Sequence, residues 1–286
     1  MCTVCGCGQP DGTNAHAGSG DAHVHEQSHV HSHSHDHHHH YGNDAAGLSV
    51  SGFTQTRLLE IEQSILSRND NDAEHNRHRF HQQHTLALNL MSSPGAGKTT
   101  LLVATVQALK ERRPVGVIEG DQQTRNDAQR IEACGVPAVQ INTGRGCHLD
   151  AHMVGHALDD LALKENGVVF IENVGNLVCP AAFDLGEHAK VVILSVTEGD
   201  DKPLKYPDMF AAADVLILSK TDLLPYVDFD ADAAVERARR INANLDVVRV
   251  SAKTGEGMDE WLHWIEATGT RWRTQSAAES TVAIDA

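Results

Sequence analysis

No run of about 18 apolar residues occurs anywhere in the 286-residue chain, so no segment reads as a membrane-spanning helix. The N-terminus is polar and cysteine-rich and lacks the apolar core of a secretory signal peptide, which makes the cytoplasm the expected compartment. Basic charge is also in short supply. The 23 Lys and Arg stand against 39 Asp and Glu, a formal charge of −16 with histidine neutral. A non-specific nucleic-acid binder needs a basic face, so nucleic acid is not an expected partner. Residues 1–47 form a low-complexity tail of Gly, Ser, Asp and His with too little apolar surface to fold alone, and disorder is expected there.

Cysteine and histidine are plentiful instead. Six cysteines in a cytosolic chain suggest metal or catalysis before disulfides. Cys2, Cys5 and Cys7 place three thiolates within six residues, a spacing that can surround one soft or borderline divalent ion. Eleven histidines follow: His16, His23, His25, His29, His31, His33, His35, His37, His38, His39 and His40. Imidazole suits nickel, zinc, copper and cobalt, and a flexible tract gains capacity rather than fixed geometry. An expression tag would be unbroken and terminal; this tract is interrupted by Ser, Asp and Val.

Beyond the tail, residues 48–84 read as a helical linker. Leu58, Leu59, Ile61, Ile65 and Leu66 supply a helical apolar pattern, and the polar stretch from Asn69 to Arg79 suggests a helix that frays or a linker. Residues 85–274 alternate short apolar runs with helix-like segments. The strand candidates are Leu86–Met91, Val115–Glu119, Ala138–Asn142, Val168–Ile171, Val191–Val196, Val215–Leu218 and Val247–Val250. Apolar runs without alternation suit strands buried on both faces. The expected fold is therefore α/β, a doubly wound, mostly parallel sheet with ligands at the carboxyl edge of the strands. Residues 275–286 read as a disordered C-terminal tail.

Ser92 to Thr100 read SSPGAGKTT and follow the first strand candidate directly. Gly95, Ala96 and Gly97 let successive backbone N–H groups wrap phosphates, and the helix that starts near Lys98 adds its positive end. Lys98 can reach the β- and γ-phosphates, while the Thr99 hydroxyl can ligate Mg²⁺, with Thr100 beside it. Ser92 stands where the usual pattern G-x-x-x-x-G-K-S/T has its first glycine.

Three further motifs fall at strand ends. Glu172 opens ENVG, where an acid could hold Mg²⁺ through water or position the attacking water, and Gly175 could sense the γ-phosphate. Asp121 either organises Mg²⁺ or water or caps the next helix. Ser219-Lys220-Thr221-Asp222 approaches the guanine-reading pattern N-K-x-D, with Ser219 in place of Asn. Asp222 would accept from the N1–H and exocyclic amine of guanine, and Lys220 would lie along the base. Ser251, Ala252 and Lys253 match the loop that touches the guanine O6. The two motifs in this order favour GTP over ATP. Cys147, His148 and Cys179 could form a further metal site, with Cys179 seven residues after Glu172. His152 and His156 follow on one helix face as optional additions to that site, with a solvated or partly buried role favoured for either alone. Cys134 reads as a small core residue.

With its CTVCGC terminus, histidine tract, SSPGAGKTT, GRGCH, ENVGNLVCP, TEGDDKPLKYP, SKTDLLP and SAKTGEG, the chain resembles the hydrogenase-maturation GTPase family HypB, from Cys2 to about Ala267. The resemblance implies a P-loop GTPase of the SIMIBI class that dimerises when GTP is bound and assists nickel insertion into nickel–iron hydrogenase. It implies a high-affinity Ni²⁺ site at Cys2, Cys5 and Cys7 and a weaker Ni²⁺ or Zn²⁺ site at Cys147, His148 and Cys179. The implied partners are a HypA-type nickel metallochaperone and the hydrogenase large subunit. The family also tends to carry Ser92. Two other readings remain. The related urease-maturation GTPases carry a Cys-Pro-His motif, whereas Cys179-Pro180 is followed here by Ala181. A metal buffer with a degenerate nucleotide domain would show no hydrolysis under any condition.

Overall fold

Seven apolar runs separated by amphipathic segments require a sheet covered on both faces, and the computed structural model has one. It describes residues 55–284 apart from 123–125 and 163. The expected metal ligands Cys2, Cys5 and Cys7, and those among His31 to His40, lie outside the described residues.

The first half of the chain forms α1 (Gln55–Gln82), β1 (Leu86–Ser92), α2 (Lys98–Leu109), β2 (Val115–Asp121), α3 (Asn126–Glu132), β3 (Ala138–Asn142), α4 (Ala151–Asp160) and β4 (Val168–Glu172). The second half forms β5 (Ala189–Ser195), α5 (Lys202–Lys205), α6 (Pro207–Ala212), β6 (Val215–Ser219), α7 (Ala231–Ile241), β7 (Asp246–Val250) and α8 (Met258–Ile284). The strand order is β3-β2-β4-β1-β5-β6-β7, and every pairing is parallel. From β1 the chain winds outward to β2 and β3, returns through β4, and then winds to the other side through β5, β6 and β7. That reversal beside β1 opens a crevice at the carboxyl ends of the strands, where ligands bind in sheets of this kind.

Both faces of the five inner strands are buried, while the edge strands β3 and β7 are partly exposed. Leu86, Leu88 and Leu90 pack with Leu101, Leu102 and Val106 of α2 and with Trp261 and Ile265 of α8. On the opposite face Ala87, Val169 and Ile171 meet Phe80 of α1 and Val154 and Ala157 of α4. Further along, Val192, Leu194 and Leu216 meet Met209 and Phe210 of α6 and Ala234 and Ala238 of α7. Each such large side chain contributes about 1.5–3 kcal/mol by leaving water, which fixes β1 and the loop after it.

One expectation at the margins is corrected. Helix α1 does not fray across Asn69–Arg79. Asn69, Ala73, Asn76 and Phe80 form a buried stripe at helical spacing, and the asparagine amides are satisfied by backbone groups of other segments. Helix α8 spans Met258–Ile284.

Candidate functional site

The phosphate loop spans from Ser92, the last residue of β1, to Lys98, the first of α2. Gly95 and Gly97 have φ of 76° and 98°, a region that side chains with a Cβ avoid. Ser92 is fully buried. Its hydroxyl accepts from Lys98 Nζ at 2.9 Å and donates to the Ser93 carbonyl at 2.6 Å. A glycine at this position would leave the lysine without that partner. Burial lowers the pKa of Lys98, opposed by the charges of Glu172, Asp127, Glu119 and Glu198. Gly175 approaches the loop so closely that a Cβ there would lie 3.0 Å from Pro94 Cα and N. Ala96 is buried beneath the loop, and Thr100 accepts from Arg130 Nη2 at 3.3 Å. From the next segment, Lys202 Nζ donates to Ser93 Oγ at 3.2 Å and pairs with Glu198 at 3.3 Å.

Pro94, Gly95, Gly97, Lys98, Thr99, Thr100 and Gly175 line a cleft of about 520 Å³ whose floor is acidic. Thr99 Oγ1 donates to Glu172 Oε1 at 2.7 Å. Glu119 of β2 sits in register with Glu172 of β4 on the neighbouring strand. Burial raises both carboxyls, Glu172 to about 7 and Glu119 to about 8, and the Glu172 and Asp121 charges push Glu119 further. Oε2 of each is buried with no hydrogen-bond partner. Asp121 lines the same cleft and accepts from Gln122 N at 2.6 Å.

Beside the loop lies a second, apolar pocket of about 240 Å³, walled by Ala96, Gly97, Leu101, Lys220, Asp222, Ala252 and Lys253 among others. Lys220, at φ 60°, turns back to donate to the Gly95 carbonyl at 2.7 Å. Ser219 Oγ donates to the Ala96 carbonyl at 2.7 Å, so the serine in place of Asn still ties this strand end to the phosphate loop. Ser251 Oγ donates to Asp222 Oδ1 at 2.7 Å and holds that carboxylate at the pocket mouth.

The fold also brings Cys147, His148 and Cys179 together, with their ligand atoms within 4.8 Å of one another. Cys147 Sγ lies 3.0 Å from Cys179 Sγ and 3.6 Å from His148 Nδ1. Both thiols are buried, and burial lowers the pKa of His148, against the charge of Asp150, which favours the neutral imidazole a metal needs. The His148 ring packs on Phe183 with centroids 4.0 Å apart. Asn173, directly after Glu172, accepts from Leu149 N at 3.0 Å, and Asn176 donates to the Cys147 carbonyl at 3.3 Å. One segment, 172–179, thus touches the acidic floor at its start and carries a thiol at its end. His152 and His156 stay exposed on α4 with their Nε2 atoms 3.2 Å apart, and Cys134 is buried.

Sequence reasoning missed Glu119, Asn173, Phe183 and the cleft-wall pair Asp127 and Arg130. Only Glu119 left a signal, a lone acid closing the apolar run Val115–Ile118.

The CobW/HypB/UreG nucleotide-binding-domain family matches residues 86–249. Hydrogenase maturation factor HypB of Azotobacter vinelandii is 63% identical over 236 residues, covering 82% of this chain and 78% of that protein. Hydrogenase maturation factor HypB of Escherichia coli (strain K12) is 57% identical over 226 residues, covering 79% and 78%. Among solved structures, HypB from Helicobacter pylori in complex with nickel is 37% identical with a TM-score of 0.68, covering 71% of this chain and 96% of that one.

Proposed function

The chain belongs to the HypB family of hydrogenase maturation factors, and from that premise we propose that it is a GTP-hydrolysing, nickel-binding factor that stores nickel and assists its insertion into nickel–iron hydrogenase. The observation that carries this reading is the segment 172–179, which joins the phosphate cleft to the buried thiol pair. An ordinary nucleotide hydrolase has no need of two thiols and an imidazole at the end of that segment.

In this reading the nucleotide phosphates lie along Gly95 to Thr100. Lys98 neutralises the β- and γ-oxygens, and Gly175 offers its N–H to the γ-phosphate. The unpartnered oxygens of Glu119 and Glu172 fit a hard divalent cation. Thr99, with Glu172 and Asp121 directly or through water, would hold Mg²⁺, which supplies charge neutralisation at the phosphates. The apolar pocket takes the base. Asp222 accepts from guanine, Lys220 covers the ring, and Ser251, Ala252 and Lys253 edge the O6 side. Hydrolysis is slow, as suits a timer: Arg130, the arginine on the cleft wall, is held by Asp127 at 3.2 Å and by Thr100.

Cys147, His148 and Cys179 take Ni²⁺ or Zn²⁺ as cargo. Cys2, Cys5 and Cys7 form the tighter nickel site, and the histidines from His31 to His40 add storage capacity. Residues 1–47 are thus the metal tail, 48–84 the helical connection and 85–274 the GTPase domain. From membership of the family we further infer a homodimer favoured by GTP, exchange with a HypA-type metallochaperone, delivery to the hydrogenase large subunit, and a cytoplasmic setting. Among the described residues no helix is long and apolar enough to cross a membrane.

Lys98→Ala tests the division of labour. GTP hydrolysis in the presence of Mg²⁺ should fall by about 10²-fold or more, while nickel titration of Cys2, Cys5 and Cys7 should be unchanged. Loss of that metal binding in Lys98→Ala would refute the modular picture.

A further inference from the structure

Helix α1 carries two buried asparagines two turns apart, and both reach the same pair of loops. Asn69 is 5% exposed and Asn76 is 2% exposed. Asn69 Oδ1 accepts from Ala151 N at 2.9 Å, and its Nδ2 donates to the Asp184 carbonyl at 2.7 Å. Asn76 Nδ2 donates to the Ala151 carbonyl at 2.7 Å and to the Leu185 carbonyl at 3.1 Å. Ala151 opens α4, three residues after His148. Asp184 and Leu185 follow Cys179 on the turn whose Phe183 packs against the His148 ring. Each carboxamide therefore spans the two arms that bring Cys147 and His148 on one side and Cys179 on the other.

The surrounding backbone is shaped for this contact. Gly186, at φ 87°, lets the second arm press against α1, where a Cβ would lie 2.6 Å from the Ala73 carbonyl and 2.8 Å from Asn76 Cβ. Arg77 adds an ion pair to Asp184 at 2.6 Å from the same helix. Packing α1 on the sheet would need only an apolar stripe, which Ala73 and Phe80 begin. Two buried amides interrupting that stripe are costly unless fully bonded, and their bonds go to these two loops.

We propose that Asn69 and Asn76 are positioning residues for the Cys147–His148–Cys179 group: α1 is a clasp that sets the separation of the two thiol-bearing arms, and so sets how tightly, and with what geometry, the group takes a divalent ion. The proposal rests on the metal-binding reading above. Residues behind a ligand set typically govern metal affinity by about 10–100-fold.

The test uses Asn69→Leu and Asn76→Leu, near-isosteric and apolar, in the full-length chain carrying Cys2→Ser, Cys5→Ser and Cys7→Ser. Met209→Ala, in the separate cluster under α6, is the control for general destabilisation. Co²⁺ is titrated through its thiolate charge-transfer absorption. Independently, the Cys147–Cys179 disulfide formed by diamide without metal is timed by peptide mapping, with each pair of thiols losing two hydrogens to the oxidant. We expect both Leu variants to bind Co²⁺ about 10–100-fold more weakly, with an altered band and slower disulfide formation. GTP affinity should hold, and Met209→Ala should lower Tm with neither effect. Unchanged affinity and unchanged oxidation rate in the Leu variants, or equal losses in Met209→Ala, would overturn the clasp. If Cys179→Ser titrates like its parent, the metal reading itself has failed, and the oxidation rate alone then decides whether α1 positions the thiols.

Discussion

The nucleotide cleft and the Cys147–His148–Cys179 group are adjacent, joined through residues 172–179, yet they are built in opposite ways. The cleft is organised around one backbone loop. One loop between β1 and α2 supplies its N–H groups, positive-φ glycines and lysine, and the strand ends add acids in register. The thiol–imidazole group is mostly side chain. Its three side chains come from two loops 32 positions apart in sequence, held by the Asn173 amide on one side and by α1 on the other. A backbone site tolerates change in its surroundings, because its geometry is local. A site assembled from distant loops depends on the hydrogen bonds that hold those loops in place.

That contrast can be broken in order of expected effect. Cys179→Ser should remove metal binding at the buried group, because a hydroxyl is a poor ligand for a borderline ion and Cys147 with His148 leaves only two donors. Nucleotide affinity, measured by fluorescent GTP titration, should remain. Parallel loss of GTP binding would mean that the cleft is not self-sufficient. Asp222→Ala should weaken GTP by about 10²-fold, two hydrogen bonds to a charged acceptor at about 1.5 kcal/mol each, and should erase preference over ATP. The Cys147 and Cys179 thiols should titrate as before.

The smallest effect is in pH. Glu119 and Glu172 hold protons in the folded protein up to about 8 and 7, while the ordinary carboxyl value is 4.5. Between these limits the folded chain binds more protons than the unfolded one, so the contribution of these groups to stability falls as pH rises through the window. Without divalent ion, their contribution should make the protein melt higher near about pH 5 than near about pH 8. Glu119→Gln should flatten that slope, and Mg²⁺ with nucleotide should bind more tightly as pH rises. A melting profile unaffected by Glu119→Gln would show that the acid pair does not titrate there.

The same contrast governs what the sequence could reveal. All seven strands were legible, the five inner ones as unalternating apolar runs because a parallel sheet buried on both faces imposes that pattern locally, while the edge strands β3 and β7 are only partly buried. The phosphate loop was legible because glycine, lysine and threonine act within nine residues. Glu119 was not singled out, because its importance comes from the register that sets it against Glu172. Asn69 and Asn76 read as a fraying polar stretch, because only the fold shows which carbonyls and N–H groups they satisfy. Cys147, His148 and Cys179 were named, but no local spacing links position 147 to 179. Their approach to 3.0 Å between sulfurs is a property of the loops.

The most direct test of the account is a Ni²⁺ titration of Cys147, His148 and Cys179 in GDP and in a non-hydrolysable GTP analogue, paired with nucleotide titration with and without Ni²⁺. If residues 172–179 couple the two sites, nickel affinity should differ between the nucleotide states. Nickel should in turn change the ratio of GTP-analogue to GDP affinity by the same factor, about 5-fold or more. Equal nickel affinity in both nucleotide states would contradict the account.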